Sequence, residues 1–237
     1  MPDRVGSDQD ASTMYQRFSD LGFEPQLLND CTHDEMMEKL KEAASDNHSL
    51  CSSFACVVLS HGDQDGIWAT DKAPVLKTED LMATVNSQNC KSLIGKPKIF
   101  IIQACRGLQS DPGVDVNFDD RVMSDAASES EEYLAHLSQQ ENTYQNIRIP
   151  SDVDFLLVQA TSPGRTAIRN NQTGSPFIQH LSEAMSNMEE EDDFIAVLTK
   201  VNRNMAYNFS TGRMGGVKQM PCFTSMLTKK LLLKKGC

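Results

Sequence analysis

The sequence predicts one α/β domain in which helices cover a largely parallel sheet. Short, continuous apolar runs at Phe54–Leu59, Lys98–Gln103 and Asp152–Gln159 read as strands buried on both faces. Stretches with apolar residues at helical spacing lie between and around them, the alternation that a parallel sheet requires. With 237 residues, the chain can bury a sizeable core without a disulfide or metal staple.

The elements follow in order. Met14, Tyr15, Phe18 and Leu21 recur at helical spacing, and Gly22 is a stop signal. Phe23 to Leu28 reads as a short strand. Thr32 and Glu35 form a capping box ahead of an amphipathic helix carrying Met36, Met37, Leu40, Ala43 and Ala44. Gly66 to Thr70 is one arm of a small hairpin, and Thr78 to Val85 a short helix. Gly95-Lys96-Pro97 is a turn into the second buried strand. Beyond the third strand, Phe177, Ile178, Leu181, Ala184, Met185 and Met188 define one helix. Phe194, Ile195, Val197, Leu198, Val201 and Met205 define another, with Asp192 or Asp193 at its start, where an acid suits the helix dipole. Met220 to Leu227 closes as a strand.

The net charge of −11 argues against nucleic acid or an anionic membrane as a partner, since both select a basic footprint. No apolar run approaches the roughly 20 residues of a membrane span, and the first ten residues have no apolar core for a secretory signal. The seven cysteines are odd in number and include no C-x-x-C pair. The expectation is a reduced, cytoplasmic chain with free thiols and no structural zinc. The sequons at Asn47, Asn171 and Asn208 then read as chance matches. Between Leu108 and Ile147 there are nine acids and one base, few core-forming residues, and a short helical pattern only at Tyr133 to Leu137. Such a stretch inside a compact domain reads as a functional or disordered segment.

Two of the buried strands run into reactive groups. The first leads to Ser60-His61-Gly62-Asp63, the second to Gln103-Ala104-Cys105-Arg106-Gly107. Ligands of open α/β sheets sit beyond the carboxyl ends of the strands, so parallel neighbours would bring His61 and Cys105 to one rim. A thiolate is a strong nucleophile, and a nearby imidazole can activate it and then protonate a leaving amine. Gly62 lets the backbone approach closely, and its N–H with that of Cys105 could hold an oxyanion. Either residue alone would more often be structural: cysteine as a small core hydrophobe, histidine as a packed ring. The pair, each ending a strand and each followed closely by glycine, favours catalysis. Cys56, Cys90 and Cys222 lack such surroundings.

Gln103-Ala-Cys-Arg-Gly107 resembles the active-site signature of the caspases, which places a histidine about 50 residues upstream. The likeness extends through Arg4-Val-Gly-Ser-Asp-Gln-Asp-Ala11, Leu27-Leu-Asn-Asp30, Leu59-Ser-His-Gly62, Ser92 to Lys98, Ile149-Pro, Val201-Asn-Arg203 and Lys218-Gln-Met-Pro-Cys222, in family order. On these blocks the chain is identified as a member of that family. The resemblance implies a three-layer fold with a mostly parallel central sheet and helices on both faces. It also implies a cytoplasmic cysteine endopeptidase that cleaves proteins after aspartate in apoptosis-type signalling, without metal or cofactor. Cys105 would be the nucleophile and His61 the acid–base, with Gly62 and Cys105 forming the oxyanion hole. Arg4, Gln103 and Arg169 would bind the substrate aspartate, and guanidinium forks suit a carboxylate because they bind it bidentately and keep their charge.

By the same resemblance, residues 1–110 form a large-subunit region, 111–147 an acidic linker cut during maturation, and 148–237 a small-subunit region, together one catalytic domain. Asp125, followed by the small Ala126, is the favoured processing site, with Asp115, Asp119 and Asp120 as rivals. A homodimer through 220–227 is expected. The family also carries a strand ahead of the segment matching Arg4, and the expectation is a sheet short of that strand. Thr166 and Ile168 stand where aromatic residues are frequent, and Pro176 where tryptophan is. Two other readings remain open: an inactive or regulatory chain that pairs with active caspases, and a related peptidase cutting after basic residues. The two arginines argue against the second.

Overall fold

The computed structural model describes residues 4–71, 75–115, 148–189, 191–212 and 216–233. Its elements are α1 (Ser7–Asp20), α2 (His33–Ser45), β1 (Phe54–Leu59), β2 (His61–Gly62), β3 (Ile67–Trp68), α3 (Thr78–Thr84), β4 (Lys98–Gln103), β5 (Phe155–Gln159), α4 (Pro176–Ser186), α5 (Phe194–Asn208) and β6 (Cys222–Ser225). Residues 1–113 and 150–237 form one compact unit, to which all these elements belong. The processing-site candidates Asp119, Asp120 and Asp125 and the helical pattern at 133–137 lie outside the described residues.

The sheet order is β1-β4-β5-β6, with the first three strands parallel and β6 antiparallel to β5. Every residue of β4 is buried, as expected of a strand with neighbours on both edges and helices on both faces. Its side chains alternate between two cores. Ile99 and Ile101 join Met14 and Phe18 of α1, Phe177, Ile178 and Leu181 of α4, and Val197, Leu198 and Val201 of α5. Phe100 and Ile102 join Leu40 of α2, Leu81 of α3, Leu76 and Phe155. Helices therefore cover both faces, and the fold is the three-layer α/β arrangement that the sequence predicts.

Local signals set the element ends. Thr32 and Glu35 do form a capping box: Glu35 Oε2 accepts from the Thr32 N–H at 2.8 Å, and Thr32 Oγ1 accepts from the Glu35 N–H at 3.3 Å. Asp193 caps α5, accepting from the Ile195 N–H at 3.2 Å. Pro176 occupies the first turn of α4, where its missing N–H costs no helical bond. β5 begins at Phe155 and not at Asp152, because Asp154 adopts φ 62° and turns its carboxylate onto the N–H and hydroxyl of Thr228.

The expected strand at Phe23 to Leu28 is absent. Phe23 instead folds back on α1, its ring edge-on to Phe18 at 5.0 Å, and Leu27 and Leu28 are exposed. A strand exists only through its ladder, and among the described residues no strand pairs with this segment. The strand expected over Met220 to Leu227 is shorter, Cys222–Ser225. Among the described residues no helix is long and apolar enough to cross a membrane.

Candidate active site

The parallel register sets the site. Leu59 pairs with Gln103 at the carboxyl ends of β1 and β4, and the Ser60 N–H still donates to the Gln103 carbonyl at 3.1 Å. His61 and Cys105 each follow two residues later, so the two strands deliver them to the same rim of the sheet. His61 and Gly62 pair with Trp68 and Ile67 in the antiparallel β2-β3 ribbon, and the His61 and Trp68 rings lie 6.4 Å apart. Asp63 fixes this ribbon. Its carboxylate accepts from the Asp65 and Gly66 N–H groups and from Trp68 Nε1 at 3.1 Å. Gly62 is required by close packing: a Cβ there would stand 2.7 Å from the Cys105 carbonyl oxygen and 2.8 Å from that of Gly66. Its backbone therefore lies directly against Cys105, as an oxyanion hole shared by these two residues needs.

The chain after β5 crosses in front of Cys105. The Arg106 N–H donates to the Arg165 carbonyl, the Gly164 N–H to the Arg106 carbonyl and the Thr166 N–H to the Gln109 carbonyl. This small ladder places Ala167 on the thiol: its N–H donates to Cys105 Sγ at 3.3 Å, and Sγ lies 3.6 Å from its carbonyl. Gly107 permits the crossing, since a Cβ on it would fall 2.3 Å from the Gly164 backbone. Gln219, buried to 2% exposure, pins the next residue. It accepts from the Ile168 N–H and donates to the Ala160 carbonyl, both at 2.7 Å.

Beside the thiol lies a group of buried polar side chains. Gln103 is 1% exposed and donates to the Ile168 carbonyl at 3.4 Å, while its Oε1 has no partner. Arg4 donates to Ser7 Oγ at 2.8 Å, and Arg4 Nε and Arg169 Nε are both buried without an acceptor. Burial, and then the charge of Arg169, pull the Arg4 guanidinium down to about 10, while Asp10 and Cys105 push it back up. These groups thus share one local field. Buried donors without acceptors are costly, and a carboxylate is the acceptor that a guanidinium fork matches best.

Sequence reasoning named His61, Gly62, Gln103, Cys105, Arg4 and Arg169, and the fold brings them to one end of the sheet. It missed the Ala167 backbone contact, the Gln219 clamp and the environment of Asp10. Gln219 stood inside a recognised block but carried no chemical signal of its own. Cys222 remains outside the catalytic set. Burial raises its thiol despite a 3.4 Å bond from Arg106 Nη1.

The chain matches the caspase domain family over residues 1–232. It is 38% identical over 235 residues to caspase-3 of Mesocricetus auratus, covering 98% of this chain and 77% of that protein. It is 37% identical over 235 residues to caspase-7 of Gallus gallus, covering 98% of this chain and 71% of that one. The crystal structure of caspase-1 from Spodoptera frugiperda superposes with a TM-score of 0.82 at 28% identity, covering 99% of this chain and 84% of that one. A cysteine and a histidine brought to one rim by parallel strands, beside two half-buried arginines, are thus found on a backbone and a sequence that both lead to one assignment: the chain belongs to the caspase family.

Proposed function

We propose that this chain is an active cysteine endopeptidase that cleaves proteins after aspartate. The observation that carries the reading is the pair of half-buried arginines, Arg4 and Arg169, whose buried Nε atoms lack acceptors near the strand end that leads to Cys105. An aspartate side chain supplies the missing acceptors, and Gln103 completes the polar wall. A basic side chain would be repelled there.

The chemistry follows from the groups at the rim. With the aspartate side-chain carboxylate held, Cys105 Sγ bonds to the main-chain carbonyl carbon of that same aspartate, and the carbonyl electron pair moves onto oxygen. The Gly62 and Cys105 N–H groups stabilise that oxyanion. His61 takes the thiol proton and gives it to the leaving amine as the C–N bond breaks. Water then attacks the thioester, His61 takes its proton, and the C–S bond breaks to regenerate the thiol and release a carboxylate.

The Ala167 peptide bonded to Cys105 belongs, on this reading, to a resting zymogen. The 164–168 segment must shift before a substrate carbonyl reaches Sγ. Cleavage after Asp125 releases that constraint, dimerisation through 220–227 supports the groove, and the enzyme acts in the cytoplasm in apoptosis-type proteolytic signalling. The test compares peptides with aspartate, glutamate or arginine before the scissile bond, using the wild-type chain and Cys105→Ala. Cysteine-dependent hydrolysis of the aspartyl peptide alone is expected. Arginyl cleavage would overturn the pocket assignment, and no cleavage by the processed dimer would favour a regulatory chain.

A further inference from the structure

Arg4 belongs to the segment that leads into α1, and Arg169 precedes the Asn170–Gly174 turn that leads into α4. Two like charges are thus brought near one another from positions 165 residues apart, in a half-buried place where their repulsion is less screened than in open solvent. Asp10 lies between these two segments. It sits in the first turn of α1, where an acid is ordinarily a solvated partner of the helix dipole, yet it is 1% exposed. Its carboxylate accepts from the Ser175 N–H at 2.7 Å and from Ser175 Oγ at 2.5 Å, so α1 is tied to the start of α4. A Cβ on Gly174 would fall 2.3 Å from Asp10 Oδ1, so the turn is built around the carboxylate. The Arg4 segment touches the same turn, with Gly6 packed so closely on Asn170 that a Cβ would meet its carbonyl oxygen at 2.5 Å.

We propose that Asp10 is a positioning residue for substrate recognition, the internal counter-ion that holds Arg4 and Arg169 together as one carboxylate-binding pocket. The inference rests on the aspartate-directed reading above. Asp10 makes no ion pair with either guanidinium; it ties the segments that carry them, through Ser175 and the Gly174 turn, and acts on their charge at longer range, where both arginines pull its carboxyl down and it pulls the Arg4 guanidinium up. Two guanidiniums and one carboxylate leave a single net positive charge, which one incoming aspartate cancels. Without the Asp10 charge, the arginines of the empty pocket repel each other and Arg4 swings away from Arg169. Asp10 needs no contact with substrate for this role; it acts through the arginines.

The experiment compares wild-type protein with Asp10→Asn, Asp10→Ala and Ser175→Ala. Asparagine keeps an acceptor for the Ser175 N–H and the size of the side chain, so it removes charge without removing shape. Folding of each variant is checked by near-ultraviolet circular dichroism. Two readouts are taken: KM and kcat on an aspartyl peptide, and the rate at which phenylglyoxal labels Arg4 and Arg169, measured by mass spectrometry. Asp10→Asn is expected to raise KM about 10-fold or more with kcat changed less than about 3-fold, and to speed labelling of both arginines. Ser175→Ala is expected to fall between wild type and Asp10→Ala. A residue that only supports the fold would lower the folded fraction and leave KM and labelling of the folded protein unchanged. That result, or a lower KM, would overturn the proposal. Wild-type protein that cleaves no aspartyl peptide, but whose arginine labelling still responds to Asp10→Asn, would overturn the activity reading and leave the positioning role standing. Identical labelling in wild type and Asp10→Asn would overturn the positioning role whatever the activity.

Discussion

The thiol of Cys105 and the peptide of Ala167 are joined, with the Ala167 N–H donating to Sγ at 3.3 Å and the Ala167 carbonyl 3.6 Å from the same atom. Cys105 therefore rests against the backbone two residues before Arg169, so on the proposed reading the nucleophile and the pocket arginine meet in one segment. Cys105→Ala and His61→Ala are each expected to lower kcat by about 10⁴-fold or more, as loss of either member of a nucleophile–base pair does. Melting curves should show that both variants stay folded. A Cys105→Ala variant that kept its hydrolysis rate would refute the assignment.

The pocket arginines should separate from the catalytic pair in their kinetics. Arg169→Ala and Arg4→Ala leave a substrate carboxylate buried without its partner, a loss of about 2–5 kcal/mol, or roughly 30-fold and upward in kcat/KM. Lysine at either position should recover only part of the loss, because an ammonium lacks the planar fork. Steady-state kinetics on aspartyl peptides test this, and unchanged values in both alanine variants would dismiss the pocket.

Asp10 should show function opposing stability. Burial holds its carboxyl above the ordinary range, although Ser175, Arg4 and Arg169 all pull it down. For an acid with a raised folded value, the stabilising contribution is complete below the unfolded value and is lost as pH rises through the folded one. At neutral pH the ionised group therefore costs stability. Asp10→Asn, which stays neutral, should melt above wild type at pH 7, and the gap should close as pH falls below the carboxylate range. Thermal melts across that range, read beside KM, measure both effects.

The capping box of α2 should behave in the opposite sense. The Thr32 N–H and hydroxyl hold the exposed Glu35 carboxyl below its usual range. For a lowered acid, the contribution is present above the unfolded value and disappears as pH falls through the folded one. Glu35→Gln should therefore melt below wild type at neutral pH and converge with it in acid. Thr32→Ala should cost about 1 kcal/mol, the usual worth of an N-cap, measured by denaturant titration.

Maturation is testable by mass spectrometry of the Cys105→Ala chain mixed with active enzyme. A new terminus at Ala126 is expected, with the thiol of the cut wild-type chain alkylating faster than that of the uncut chain as the Ala167 contact opens. Termini only after Asp115, Asp119 or Asp120 would move the site, and an uncut chain with full activity would show that cleavage is no switch.

Much of this arrangement was legible in the sequence, because it rests on local patterns. The apolar runs of β1, β4 and β5 specify buried strands wherever they stand, and His61 and Cys105 follow them at fixed distances. What was hidden depends on partners far away in the chain. Phe23 to Leu28 has the composition of a strand but no ladder among the described strands. Asp10 has no assigned role in the sequence until Ser175, 165 residues later, is placed against it. Gln219 carries no signal of its own until its two backbone partners, Ala160 and Ile168, enclose it.

The residue-for-residue pairing of β1 with β4 also governs which lengths of this chain can change. Within the 35 residues between Gly62 and Lys98, the turns outside the β2-β3 ribbon and α3 can lengthen or shorten while His61 and Cys105 keep to one rim, because both are counted from the Leu59–Gln103 pair. One residue added within 54–61 or 98–105 would turn the histidine or the cysteine to the opposite face of the sheet. Insertions and deletions in related chains should therefore collect in the connections and spare these two eight-residue runs.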